Sequence, residues 1–302
     1  MKRYLFALAD HLAHTIDRTR AGSPQRFQKG YAPGGDPQFD IDHAAEEAVQ
    51  RFVRETGLPM AISTEGAGLV QFGTRPEYVL IIDPVDGTRP AAAGFETATI
   101  SIAAAPLTGD PTISDVDHAL LREIGTGAQL YWDSDERHVQ AFGYTRAVPS
   151  LSDTTELNRM FWSVEFNGHP AELMVRTYGH VIDKSANTGG LFVFNSATYS
   201  ISRIITGQLD AYVDVGNRLL RDHPKLESEF LRVGHGHILH LFPYDIAAAV
   251  ILAERAGVVV TDGYGEPLGR TRLLDMDPAN QQSCIAASNR LLHTRLLEVM
   301  RW

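Results

Sequence analysis

Four things are scarce in this chain of 302 residues: cysteine, long apolar runs, basic clusters and repeated segments. The single cysteine, Cys284, rules out a disulfide framework within one chain and fits a reducing compartment, so a cytoplasmic location is expected. No apolar run reaches the length of a membrane span, and no membrane partner is expected. Met1-Lys2-Arg3-Tyr4-Leu5-Phe6-Ala7-Leu8-Ala9 begins like a secretory leader, but Asp10, His11 and His14 interrupt it too early. Leu5, Leu8, Leu12 and Ile16 fall instead on one helical face. The 27 basic residues are outnumbered by 37 acidic ones, and the net charge of −10 comes without a basic block. That argues against nucleic acid, whose binding needs a Lys/Arg surface to displace counterions. A hydrophobic content of 44% with 21% charged residues describes a globular chain rather than a disordered one.

What is present is concentrated in Asp83-Pro84-Val85-Asp86-Gly87-Thr88. It follows the apolar run Tyr78-Val79-Leu80-Ile81-Ile82, which reads as a buried strand. Two carboxylates three residues apart then project from a strand end, in a turn that Pro84 stiffens. Gly87 allows close backbone approach, and its amide with that of Thr88 can face an anion. Hard oxygen ligands beside exposed amides suit Mg²⁺ bridging to a phosphate. The plain alternative is an Asp-Pro and Asp-Gly turn closing a strand. An acidic protein that handles a phosphate needs local positive charge, which bound divalent cations supply.

The spacing predicts helices over residues 1–20, 42–56, 195–205, 245–256 and 289–300, with residues 21–38 loop-like. Strands are expected at 60–63, 78–82, 98–104, 129–132, 161–165, 258–260 and 283–287, and a half-buried one where Leu209, Ala211, Val213 and Val215 alternate with polar residues. Strands interleaved with helices imply layers of sheet and helix. A boundary is expected near residues 149–154, dividing an N-terminal α+β half (about 1–150) from a C-terminal α/β half (about 151–302).

Several acids sit where strands and helices change over. Asp40 and Asp42 open the second helix, Glu65 follows a strand, and Asp245 opens the helix Tyr244-Asp245-Ile246-Ala247-Ala248-Ala249. Each has an ordinary reading: Asp42 and Asp245 as N-caps, Glu65 and Asp40 as surface acids, and Asp214 as a solvated residue on the polar face of its strand. Two-metal sites, however, need carboxylates converging from separate segments.

Their order resembles the inositol monophosphatase family, part of the Mg²⁺-dependent, lithium-sensitive sugar-phosphatase superfamily. The resemblance covers nearly the whole chain, and its specific anchors are the hexamer at 83–88 and Tyr244-Asp245-Ile246-Ala247-Ala248. Thr206 to Asp214 and Glu254 to Leu268 add weaker support. The resemblance implies a layered α-β-α-β-α sandwich of α+β class, a homodimer, and a phosphomonoesterase for a small polyol or sugar phosphate. It further implies two or three Mg²⁺ ions held by Glu65, Asp83, the Val85 carbonyl, Asp86 and Asp245, with Asp42 serving a third metal or its water. Gly87 and Thr88 would bind phosphate through their amides, and Thr88 would help orient the attacking water. Asp86, Asp214 and Asp245 would also touch substrate. Asp83, Thr88 and Glu65 would be catalytic, by metal-activated water attack in line with the leaving group.

The chain also departs from the family pattern. Thr64-Glu65 stands where two glutamates are usual: either Glu65 supplies the ligand, or the first metal is weakly held. Arg89-Pro90-Ala91 replaces a Thr-Asn-Phe continuation, and Asp214 stands in place of a glutamate that reads sugar hydroxyls. Thirty residues separate Asp214 from Asp245, longer than the usual connection, and they contain Gly234-His235-Gly236-His237-Ile238-Leu239-His240. This spacing is unlike that of zinc ligands, so solvated or substrate-facing residues are expected there. Fructose-bisphosphatase activity, 3′-phosphoadenosine phosphatase activity and a non-catalytic phosphate-binding role remain alternatives on the same fold. A haloacid-dehalogenase type requires aspartates two residues apart, not three.

Overall fold

The computed structural model describes residues 1–21 and 27–302; Gly22, Ser23 and Pro24 of the expected loop lie outside the described residues. The chain opens with helix α1 (Lys2–Ala21), a short strand pair β1 (Gly30–Tyr31) and β2 (Pro37–Gln38), and helix α2 (Asp40–Thr56). Strands β3 (Met60–Thr64), β4 (Gly68–Phe72) and β5 (Tyr78–Asp86) lead into the short helix α3 (Thr88–Ala93). Strands β6 (Thr99–Pro106), β7 (His118–Glu123), β8 (Gln129–Asp133) and β9 (Gln140–Phe142) follow. Next come β10 (Phe161–Val164), α4 (Ala171–Ser185), β11 (Gly190–Phe192), α5 (Ala197–Ile205) and β12 (Ala211–Asp214). Helices α6 (Gly216–Asp222), α7 (Glu227–Val233) and α8 (Pro243–Ala256) precede β13 (Val259–Thr261), β14 (Cys284–Ala287) and α9 (Arg290–Val299).

Two sheets organise the molecule. The seven-stranded sheet has the order β4-β3-β5-β6-β7-β8-β9, and β3 with β5 is its one parallel pair. The five-stranded sheet runs β11-β10-β12-β14-β13, with β10 parallel to both of its neighbours. Along β5 successive side chains alternate between two cores. Leu80 and Ile82 pack with Leu5, Leu8 and Leu12 of α1 and Val49 of α2. Val79 and Ile81 join Ile201 and Ile204 of α5 and Ala248 and Leu252 of α8. A strand covered on both faces carries apolar side chains at every position, which is why 78–82 is a continuous run. Each such side chain contributes roughly 1.5–3 kcal/mol.

Helix α8 is apolar all round, as a helix lying between two sheets must be. Beyond it, Tyr212, Cys284 and Ala286 face the α8 side of the five-stranded sheet. On its far face, Ala211, Val213 and Ile285 pack with Met174 and Tyr178 of α4, Phe230 of α7 and Leu292 of α9. The result is five layers, helix-sheet-helix-sheet-helix. The structure thus has the expected layered α+β sandwich.

Two expectations need correction. Asp83 to Asp86 is not a turn after the strand, because β5 continues through it. Asp83 pairs with Ser101 and Asp86 with Thr99, so β5 carries one residue more than β6 across this step. Pro84 sits in that bulge, where its missing N–H removes no ladder bond. Nor is β12 half-buried: all four of its residues are buried, and Asp214 is 2% exposed rather than solvated. The second sheet is covered on both sides, so its polar residues face cavities instead of bulk water. Helices α3, α4, α6 and α7 and strands β1, β2, β4, β7, β9 and β11 lie in segments where no element was expected, β1 and β2 within the stretch 21–38 expected to be loop-like. In α4 the buried positions include Thr177 and Ser185, and Gly179 interrupts it, which blurs its apolar stripe. Among the described residues no helix is long and apolar enough to cross a membrane.

Candidate active site

The bulge in β5 decides the geometry. In a regular strand, residues three apart point to opposite faces. The extra residue between Asp83 and Asp86 restores the alternation, and both carboxylates line the same cavity together with Val85, Gly87 and Thr88. Gly87 has φ 90°, and a Cβ there would stand 2.9 Å from both Ser196 Cβ and the Thr97 carbonyl oxygen. Only glycine serves at this position.

Two helix starts deliver further acids by one device. Phe39 and Phe242 are the N-caps of α2 and α8, and the third residue of each helix is an aspartate. Asp42 Oδ2 accepts from the Phe39 amide at 2.7 Å, and Asp245 Oδ2 from the Phe242 amide at 2.6 Å. These aspartates are therefore not N-caps, the ordinary reading of their position, but reach back to the cap amide from inside the helix. Asp245 lines the cavity. Asp42 stands behind it: the Thr88 hydroxyl, which is 2.8 Å from Asp42 Oδ1 and 3.0 Å from the Val85 carbonyl oxygen, links it to the lining.

Glu65, in the turn after β3, also lines the cavity. Its neighbour Thr64 is committed elsewhere, donating to Glu46 Oε2 of α2 at 2.8 Å, while Glu46 Oε1 accepts from the Gly66 amide at 2.9 Å. Asp40 pairs with Lys29 at 3.6 Å, away from the cavity.

The electrostatics are those of crowded acids. Burial pushes Asp83 well above the usual carboxylate range, and the charges of Asp86 and Asp245 push it further. Asp245 is raised by burial, then by Asp36 and Glu65; Glu65 by burial, then by Asp36 and Asp83. Asp86 is also raised by burial, against which work hydrogen bonds from Thr198 and from Ser196, whose Oγ lies 2.7 Å from Oδ2. Asp42 is pushed up to about 7 by burial. Among the described residues the Lys or Arg on the lining is Arg89 of α3, which acts on Asp36.

A divalent cation fits this donor set. The donors are hard oxygens on stiff elements, with more negative charge than one guanidinium offsets. Among the described residues, Asp83, Asp86 and Asp245 each tie one oxygen to protein donors and keep the other without a hydrogen bond. Among the described residues, no three His, Cys, Asp or Glu side chains already stand in a ligand shell.

Several lining residues were not foreseen. Asp36 lies in Gly34-Gly35-Asp36-Pro37, a string that signals only a loop. Glu165, Asn167 and His169 follow β10, and His240 comes from the histidine-glycine segment. Burial holds Glu165 and Asp214 at about 7. His237 of the same segment packs against Tyr31, the rings tilted by 35° with centroids 4.8 Å apart. Cys284 is buried in β14, as expected of a structural thiol.

The chain is similar to known proteins over most of its length. A fructose-1,6-bisphosphatase/inositol-1-monophosphatase of Methanothermobacter thermautotrophicus is 26% identical over 276 residues, covering 88% of this chain and 84% of the relative. A bifunctional NADP phosphatase/NAD kinase of Methanococcus maripaludis is 25% identical over 282 residues, covering 89% of this chain but 44% of that longer protein. In fold alone, the chain is similar to a Pyrococcus horikoshii protein described as having similarities to inositol-1 monophosphatase. Their TM-score is 0.67 at 19% identity, over 100% of this chain and 98% of the other. The model of the inositol monophosphatase family matches residues 3–301. With acids, bulge and match all spanning the same chain, this protein belongs to the inositol monophosphatase family and is a phosphoric monoester hydrolase, not a haloacid-dehalogenase-type enzyme.

Proposed function

We propose that the protein is a Mg²⁺-dependent phosphomonoesterase acting on a small polyol or sugar phosphate. The observation that carries this is the β5 bulge, which turns Asp83 and Asp86 into one cavity with Glu65 and Asp245, beside Gly87 and Thr88. In this reading Glu65, Asp83, the Val85 carbonyl, Asp86 and Asp245 hold two or three cations. When bound, such cations neutralise phosphoryl charge and make water a better nucleophile. The chain's own groups do the positioning. The amides of Gly87 and Thr88 bind the phosphoryl oxygens. The Thr88 hydroxyl donates its hydrogen bond to Asp42, leaving an Oγ1 lone pair to accept from and align the attacking water. Asp42 thus acts through Thr88, a place suited to positioning rather than to direct ligation. Arg89, on the cavity lining, offers a charge to the phosphate.

The test is a phosphate-release screen over inositol phosphates, fructose 1,6-bisphosphate, histidinol phosphate and 3′-phosphoadenosine phosphates, with Mg²⁺ and with lithium added. Expected is Mg²⁺-dependent release that lithium suppresses. No release above the Asp86→Asn background from any of them would end the proposal.

A homodimer is the expected assembly. Its support is a ladder of rings at the edge of the five-stranded sheet. Phe161 and Phe192, exposed by 45% and 38%, stack at 6.4 Å, and Phe192 stacks on Phe194 at 5.6 Å. Exposed aromatic surface of this kind marks association sites. Light scattering should give twice the chain mass for the native protein and a monomer for Phe192→Asp. A native monomer would refute it.

A further inference from the structure

Residues 29–38 form a hairpin that stands apart from both large sheets. Its strands β1 and β2 have two residues each and, among the described residues, pair only with one another. The Lys29 amide donates to the Gln38 carbonyl at 2.7 Å, and the Ala32 amide to the Asp36 carbonyl at 2.8 Å. An isolated hairpin is marginal at best in water, so what it packs on sets its place.

It packs on the segment that runs from the histidines into α8. At its tip Gly35 has φ 96°, and a Cβ there would stand 2.6 Å from His237 Cβ. A Cβ on Gly34 would stand 2.9 Å from both the Phe242 ring and the Tyr244 hydroxyl. Ala32 is buried, and the Tyr31 ring adds its contact with His237. His237 itself is brought round by a turn after α7, where the Gly236 amide donates to the Leu231 carbonyl at 2.7 Å and the His237 amide to that of Gly234 at 3.1 Å. The His237 ring makes no hydrogen bond among the described residues; it holds the hairpin by packing.

The hairpin carries Asp36 to the lining of the acid cavity. Its carboxylate takes no hydrogen bond and no ion pair among the described residues, while its charge bears on both Glu65 and Asp245. No partner of its own side chain therefore keeps it there. Like charges repel, so a hairpin free to move would carry Asp36 out to water. We propose that His237 is a positioning residue: it seats the hairpin on the approach to α8 and so keeps the charge of Asp36 beside a cation held by Glu65 and Asp245. The proposal rests on the cation-holding part of the phosphomonoesterase reading.

Hydrogen exchange and calorimetric titration with Mg²⁺ test this on the full-length chain, without turnover. In His237→Ala the backbone amides within 29–38 should exchange about tenfold faster than in the native chain. The Mg²⁺ dissociation constant should rise about tenfold, as it should in Asp36→Asn. His237→Phe keeps a ring and should stay within about threefold of native on both measures. Gly35→Ala pushes the tip off His237 and should match His237→Ala, which covers the event that the latter does not fold. Added to Asp36→Asn, His237→Ala should change the Mg²⁺ constant by less than about twofold, since the charge it positions is gone. A merely structural role would leave that second effect whole. Exchange unmoved in both His237→Ala and Gly35→Ala, faster exchange with an unchanged Mg²⁺ constant, or a full effect of His237→Ala on top of Asp36→Asn overturns the proposal. The expected pattern in a chain that hydrolyses none of the screened esters would keep the role of His237 and discard the phosphatase reading.

Discussion

Asp83→Asn is expected to lower Mg²⁺-dependent phosphate release by about a thousandfold and to abolish the thermal response to the metal. The substitution is a clean one. Asp83 Oδ1 accepts from the Val85 amide at 2.9 Å, and an asparagine oxygen can take the same bond, so the bulge is retained. What disappears is the charge at the centre of the acid cluster. Cations that stabilise a phosphoryl transition state contribute several kcal/mol, and about 4 kcal/mol corresponds to that factor in rate. The native protein with Mg²⁺ at one hundred times its dissociation constant gains about 2.7 kcal/mol of stability. Calorimetric scans with and without Mg²⁺ should show that gain in the native chain and none in the variant. Turnover persisting in Asp83→Asn at a comparable rate would sink the assignment of metal ligands.

Asp214→Asn should have the opposite effect on stability while costing activity towards a polyol phosphate. Burial holds the Asp214 carboxyl at about 7 in the folded chain, against an ordinary 3.8. Below the ordinary value the carboxyl is protonated whether the chain is folded or not, and nothing is lost. As pH rises from there, the unfolded chain sheds its proton freely while the folded chain resists, so stability falls until the folded group also ionises near pH 7. Each pKa unit is worth about 1.4 kcal/mol, so the ceiling is about 4 kcal/mol. Relaxation around the site and the changed hydrogen bonding reduce the expected gain for asparagine to about 2 kcal/mol. Metal-free scans at pH 8 should show the variant melting several degrees above the native chain, with no difference at pH 4. Equal melting at pH 8 would show that the acid is not strained by its burial. A group that weakens the fold is what the proposed substrate-binding role of Asp214 entails.

These effects divide along what a linear sequence can carry. The run at 78–82 and the hexamer after it were legible because a doubly covered strand and closely spaced carboxylates both write themselves into consecutive residues. Helix α8 was legible for the same reason, its apolar residues running without a break from Ile246 to Ala253. The bulge was not, because a spacing of three between acids reads equally as a turn; only pairing with β6 shows the extra residue. The burial of Asp214 escaped because alternation of polar and apolar residues signals a wet face, whereas here that face meets another layer. Asp36, Glu165 and His240 were invisible as site residues because their chemistry depends on loops brought together by the layers. The expectation of substrate-facing residues in the segment before α8 came nearest, yet it did not single out the buried ring among its neighbours.

Helix α8 lies between the two sheets and carries Asp245 at its first turn, while Asp83 and Asp86 hang from the sheet on one side and Asp214 from the sheet on the other. Its Ala247-Ala248-Ala249 stretch is therefore the shim that sets the gap across which these groups confront one another. The reach of the active site, from phosphate to the far end of the alcohol, is gauged by the thickness of a few methyl groups at the centre of the molecule.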